Sequence, residues 1–167
     1  MSSATRSEPG PDIRRLGPED WQLFRKVRLA ALQEAPYAFG STFELEVAAD
    51  EDSWRRRIVD WARFIAEVEG EVAGTVGAGA GEFALTVALT ALWVDPRFRS
   101  RGIGGALVGS VVDWAASEGC TQVLLWVTEM NKAAERLYEH HGFARTGRVD
   151  EVRRGEPAVE YEMSKRI

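Results

Sequence analysis

The chain has 167 residues, 45% hydrophobic and 28% charged, a balance that suits an ordinary globular protein with enough apolar material for a core. Its net charge of −5 argues against broad nucleic-acid or membrane-surface binding and mildly favours small cationic partners. The single cysteine, Cys120, excludes an intrachain disulfide, no apolar run approaches the ~20 residues of a bilayer-spanning helix, and MSSATRSEPGPD lacks the apolar stretch of a secretory signal, so the sequence predicts a cytoplasmic protein.

Residues 1–11 read as a loose polar tail and residues 12–167 as one domain. Asp12 to Leu16 is a short strand by pattern. Pro18 then opens a helix with Glu19 and Asp20 in its first turn, where the helix dipole favours acids. Leu23, Phe24, Val27, Ala30 and Ala31 give it one apolar face, and it should stop before Pro36. The segment 36–41 reads as a loop with aromatics, followed by a second helix from about Asp52 to Ala62. Arg55, Arg56 and Arg57 on that helix read as a solvated face.

Strands are expected at Arg63 to Val68 and Val72 to Gly77, joined by a turn at Glu69-Gly70-Glu71. Gly77, Gly79 and Gly81 interrupt the second of these, and Ala84 to Val94 resumes as a long strand. Ile103, Leu107, Val108, Val111, Val112 and Ala115 mark a helix from Ile103 to about Glu118. Thr121 to Val127 is nearly continuous apolar sequence, as in a strand covered on both faces. Asn131 to His141 is helical and ends at Gly142, a residue suited to a left-handed cap. Two weaker strands follow, near Ala144 to Val149 and Ala158 to Lys165. The order predicts an α/β fold with a mixed sheet.

The chemistry is concentrated in Leu92-Trp93-Val94-Asp95-Pro96-Arg97-Phe98-Arg99-Ser100-Arg101-Gly102-Ile103-Gly104-Gly105, a strand joined to a helix by a loop rich in glycine and arginine. The start of a helix leaves N–H groups unpaired and carries partial positive charge. Glycines let that backbone approach an anion, so the loop suits a phosphate or diphosphate. A P-loop needs Gly-Lys-Ser/Thr where this loop has Gly104-Gly105-Ala106. A dinucleotide fingerprint beginning at Gly102 would put its third glycine on Leu107. Both nucleotide motifs fail.

Arg99-x-x-Gly102-x-Gly104 instead resembles the coenzyme A diphosphate signature of the GNAT N-acetyltransferases. Downstream, Asn131-Lys132-Ala133-Ala134-Glu135-Arg136-Leu137-Tyr138 with Gly142-Phe143 resembles that family's second signature, in the same order and context. The resemblance spans roughly Ile13 to Met163 and implies a GNAT fold: a central mixed β-sheet splayed near its middle with helices on both faces. It implies direct transfer of an acetyl group from acetyl-CoA to a primary amine, with no metal.

On this resemblance the main chain of Leu92, Trp93 and Val94 bonds the pantetheine arm. Arg99, Ser100, Arg101, Gly102, Ile103, Gly104 and Gly105 surround the diphosphate, and Asn131 reaches the arm while also suiting a helix N-cap. Tyr138 becomes the catalytic acid that protonates the departing thiolate. Tyr37, Phe39 and Phe43 lie in a segment that resembles the family's acceptor loop and become candidates for the acceptor wall. Many members are dimers, which implies a possible homodimer.

A lysine-like amine, with a pKa of roughly 10.4, must lose a proton to attack. Many relatives place a glutamate on the fourth strand for this, yet Leu89-Thr90-Ala91-Leu92-Trp93-Val94 has no acid. Glu82, Glu129 or a water relay are the alternatives, with Thr90 able to position water. His140 and His141 read as partners of a helix C-terminus, and Cys120 as a small buried residue. The acceptor reads as a small-molecule amine, with a protein N-terminal or lysine acetyltransferase and a non-catalytic acyl-CoA sensor as rivals.

Overall fold

Strands that are covered on both faces are buried in continuous runs, and in the computed structural model, which describes residues 10–167, β-strands form in or near each stretch expected from the sequence. The elements are β1 (Asp12–Arg15), α1 (Trp21–Glu34), α2 (Phe43–Val47), α3 (Glu51–Asp60), β2 (Ala62–Val68), β3 (Glu71–Ala80), β4 (Thr86–Val94), α4 (Ile103–Ser117), β5 (Gln122–Thr128), α5 (Lys132–His140), β6 (Ala144–Glu151) and β7 (Val159–Arg166). Of the expected tail, residues 1–9 lie outside the described residues.

Two expectations need correction. The helix expected from about Asp52 is not the next one after the 36–41 segment: Thr42 accepts a hydrogen bond from the Leu45 amide and starts α2 at Phe43. Nor do glycines end β3, which continues through Gly77 and Gly79 to Ala80. A Cβ at Gly77 would overlap the Arg63 guanidinium, and one at Gly79 would overlap the Trp61 indole. These glycines sit where large neighbouring side chains lie flat across the sheet. By contrast, the β2–β3 turn forms at Glu69-Gly70 as expected, with φ of 52° and 81°, the left-handed pair that a two-residue hairpin favours.

The seven strands form one open sheet in the order β1-β2-β3-β4-β5-β7-β6. All neighbours are antiparallel except β4 and β5, which run parallel. Pairing of β4 with β5 covers only Thr86 to Leu89 against Gln122 to Leu125. Beyond it, β4 stays with β3 as far as Val94 and β5 stays with β7 as far as Thr128, so the two strands part. A bulge opposite Val76 accompanies the parting, and Ala91 within it has a φ of 53°, a rare conformation for a residue with a side chain.

Helices cover both faces. Ile103, Leu107, Val108, Val111 and Ala115 of α4 join Tyr138 of α5, Phe143 and Met163 in one buried cluster against the sheet. Phe24, Leu29, Leu32, Trp54 and Ile58 of α1 and α3 form the second cluster, with Ile65 and Trp93. The apolar faces read from the sequence are these two clusters.

Candidate active site

The parting of β4 from β5 leaves their facing main-chain groups without a strand partner, which is tolerable only where something else can bond them. A cleft of about 440 Å3 opens there. Its walls are Leu92 to Val94, Phe98 to Ser100, Gly102 to Gly105 and the Asn131 end of α5. Gly102 is the N-cap of α4 with φ of 77° and offers no side chain to the helix start, so the free amides of the first turn carry the cap's positive potential into the cleft. Ser100, at φ of 63°, turns the chain sharply just before it.

The predicted cofactor residues converge here, with distinct parts. Leu92, Trp93, Val94, Arg99, Ser100, Gly102, Ile103, Gly104, Gly105 and Asn131 all line the cleft. The Arg99 side chain is committed elsewhere: Nη2 donates to Glu34 Oε2 at 2.7 Å and Nε to the Val94 carbonyl at 3.0 Å. It braces the loop, while Trp93 Nε1 donates to the same Glu34 oxygen at 3.0 Å. Arg101 is outside the lining and lies over the Phe98 ring, 5.6 Å from its centroid.

Gly104 and Gly105 also meet a packing demand. A Cβ at Gly104 would approach Leu137 to 2.9 Å, and one at Gly105 would approach His141 Nε2 to 2.5 Å. The His141 ring is therefore packed against α4, and burial first, then His140 and Lys165, lower its pKa. The shift favours the neutral ring. Gly105→Ala should lose ~1–3 kcal/mol of stability through overpacking, read as a lower urea midpoint with unchanged m-value.

Beside the gap lies a small cavity of about 40 Å3, lined by Tyr138 together with Thr90, Ala91, Leu92, Thr128 and Asn131. Tyr138 is buried, and burial pushes its phenol well above the ordinary value, so it keeps its proton. Asn131 Oδ1 accepts from the Ala134 amide at 3.2 Å, the N-cap role, leaving its NH2 free to face the gap. Thr128 Oγ1 is buried with no partner. Sequence reading missed Thr128, which looks like any strand threonine. An orphaned hydroxyl beside an uncapped helix and unpaired strand edges is what an amide-rich, diphosphate-tailed ligand would satisfy.

A second cleft, of about 590 Å3, lies on the far side of this cavity. Phe39 lines both clefts and the cavity between them. Tyr37 faces only the cofactor side, and Phe43 packs against the α1–α3 core instead of either cleft. Arg28, Arg57 and Arg63 form one wall, and Glu160 stands in the other. Arg57 therefore departs from its two neighbours: Arg55 pairs with Glu51 and Glu19 on the surface, whereas Arg57 donates to the buried Glu46 at 3.0 Å.

Of the candidate bases, Glu82 lines the second cleft but accepts from Arg148 at 2.9 Å, and Glu129 lines none of the three spaces. Glu160 of β7 was not anticipated. It is half-buried, and burial together with Asp150 raises its pKa to about 6. Its only sequence signal is a glutamate alternating through a weak strand, which does not reveal what it faces. Among the described residues no group of histidine, cysteine, aspartate and glutamate side chains could hold a metal ion, and no helix is long and apolar enough to cross a membrane.

A sheet parted beside a helix whose amides are free, with a buried phenol at the parting, defines an acyl-coenzyme A-type transferase scaffold. The model of the Acetyltransferase (GNAT) family matches residues 28–143, and the chain belongs to that family. N-acetylaspartate synthetase of Homo sapiens is 39% identical over 87 residues, 52% of this chain and 29% of that protein's length. An acetyltransferase of the GNAT family from Streptococcus pneumoniae superposes with a TM-score of 0.76 at 23% identity, covering 94% of this chain and 99% of its own. A Salmonella typhimurium acetyltransferase structure, described with its cofactor acetyl-CoA, superposes with a TM-score of 0.72 at 22% identity, covering 95% of this chain and 94% of its own. The expected fold and family agree with these likenesses, and the expected cofactor is the one named with the Salmonella structure.

Proposed function

We propose that this protein is an acetyl-CoA-dependent N-acetyltransferase that moves an acetyl group directly to a primary amine of a small molecule. The observation that carries the reading is that the two clefts and the Tyr138 cavity adjoin one another, all three lined by Phe39, with an uncapped helix start beside one cleft and Glu160 in the lining of the other. Acetyl-CoA, when bound, supplies a thioester whose carbonyl the amine attacks and whose thiol leaves.

The chain's own groups divide the remaining work. The α4 amides and the free NH2 of Asn131 would hold the diphosphate and the pantetheine arm. Main-chain N–H groups at the Ala91 bulge would stabilise the oxyanion. Glu160, ionised above pH ~6, would take the proton from the attacking ammonium directly or through water, and Tyr138 would donate one to the sulfur. The missing acid of β4 is thus replaced from β7, which favours an enzyme over a silent sensor.

A small acceptor is favoured over a protein chain because the second cleft is strapped. Arg153 Nη2 donates to the Pro36 and Phe39 carbonyls at 3.2 and 3.0 Å, and Nε to that of Gly40 at 3.3 Å. These bonds tie the β6–β7 connection to the loop before α2, beside Phe39, Gly40 and Val152 of the cleft lining. Thiol release from acetyl-CoA with a panel of small amines and of lysine or N-terminal peptides tests the reading. Turnover of small amines above peptides is expected, and preference for peptides, or none for any amine, would reverse it. The same reading includes a cytoplasmic homodimer; sedimentation equilibrium should give twice the 18.5 kDa chain mass, and a monomer would remove that part.

A further inference from the structure

The arginine wall of the second cleft carries more charge than its own acids balance. Arg28 Nε and Nη2 donate to the two oxygens of Glu46 at 3.0 and 2.8 Å, and Arg57 adds a third bond to that carboxylate at 3.0 Å. One carboxylate therefore serves two guanidiniums, and Arg28 Nη1 is buried with no partner. Arg63 forms no ion pair among the described residues. Its Nε makes a 3.4 Å bond to the Arg57 carbonyl, and the guanidinium lies between the Phe24 and Trp61 rings, 5.0 and 5.9 Å from their centroids. Burial and the charges of Arg28 and Arg57 depress its pKa to about 10. A half-buried guanidinium with no bonded anion is costly to keep desolvated, so an anion entering the cleft would be stabilised beside it.

The sheet is shaped to keep it. Arg63, Gly77 and Thr90 stand in register across β2, β3 and β4, and the bare Gly77 leaves room for the guanidinium to reach toward Thr90, beside the Ala91 bulge. On the opposite wall Glu82 and Glu162 are already bonded to Arg148, while Asp60 is exposed at the end of α3, leaving Glu160 as the acid facing the interior. The cleft thus presents spare cationic donors on one side and a lone carboxylate on the other. The cationic character is confined to the Arg28, Arg57 and Arg63 side, since the lining as a whole also holds Glu46, Asp60, Glu82, Glu160 and Glu162.

We propose that the acceptor is an amine that also bears a carboxylate, an amino acid or amino-carboxylate, whose carboxylate is bound by Arg63 and Arg28 with Arg57 supporting. The proposal rests on the acetyl-transfer reading for its chemistry, though the anion site stands on its own geometry. Arg63, close to Thr90, and the orphaned Arg28 Nη1 offer the planar donors that a carboxylate takes in pairs.

The test compares the common L-amino acids with their carboxamides, both as acetyl acceptors and as ligands by calorimetry, in the wild type, Arg63→Met and Arg63→Lys. The preferred amino acid should exceed its carboxamide by at least ~30-fold in kcat/KM. Arg63→Met should erase most of that ratio through KM while binding acetyl-CoA normally, and Arg63→Lys should restore part of it. Equal use of acid and carboxamide, or a ratio untouched by Arg63→Met, would overturn the carboxylate site and leave acetyl transfer standing. Saturable amino-acid binding that Arg63→Met abolishes, with no transfer to any amine, would support the site and reject the transfer. Neither binding nor transfer with any amino acid would overturn it outright.

Discussion

Replacing Glu160 with glutamine should lower kcat by ~10²–10⁴ while raising stability at neutral pH. The two effects share one cause. In the wild type, burial and Asp150 raise the folded-state pKa of this carboxyl from 4.5 to about 6. The folded chain therefore holds the proton more tightly than the unfolded chain, and the resulting stability is fully present below about 4.5 and lost as pH rises through 6. Above that pH the half-buried carboxylate opposes folding, by on the order of 1 kcal/mol after allowance for solvent screening. Glutamine removes that cost. The wild-type rate should climb through pH ~6 as the base ionises. In Glu160→Gln that bend should vanish and the melting temperature at pH 8 should rise. Normal turnover in this variant would remove Glu160 from the chemistry, and a lowered melting temperature would mark it as structural.

Tyr138→Phe should slow turnover by ~10²-fold with acetyl-CoA affinity nearly unchanged. The ring packs edge-on to Phe143 at 5.9 Å between centroids, and phenylalanine preserves that contact. Only the hydroxyl is lost from the cavity. Because burial keeps the phenol protonated, the residue suits an acid and not a base, so the variant should lose rate without losing the bend near pH 6. Pre-steady-state measurement with a thioester of a lower-pKa thiol provides the discriminating reading. A better leaving group needs less help from an acid, so the deficit should shrink. A deficit of constant size would assign Tyr138 to positioning.

The parts legible in the sequence were those written locally. Ile103 to Ala115 repeat at helical spacing, so α4 and its glycine-rich start could be placed before any coordinates. The Asn131 to Phe143 run carries cap, face and stop in one stretch, and its helix begins at Lys132. What escaped depends on partners far apart in the chain. Glu160 becomes a candidate base only because β7 lies beside β5. Arg63 is unremarkable until α1 and α3 bring Phe24, Arg28 and Arg57 around it. Gly77 and Gly79 look like strand breakers because their purpose belongs to Arg63 and Trp61 on the neighbouring strand and its approach. Phe43 is a candidate for the acceptor wall through the resemblance of its segment to the family's acceptor loop, whereas its place at the start of α2 packs it against the α1–α3 core.

The short parallel pairing from Thr86 to Leu89 has a mechanical consequence. Among the described residues it is the one ladder riveting β1–β4 to β5–β7, two plates otherwise held together by side-chain packing in the α4 cluster. Anything lodged in the opening would act as a second rivet, so saturating coenzyme A should slow amide hydrogen exchange at Gln122 to Leu125 more than at β1 or β6, the outer rims of the same sheet.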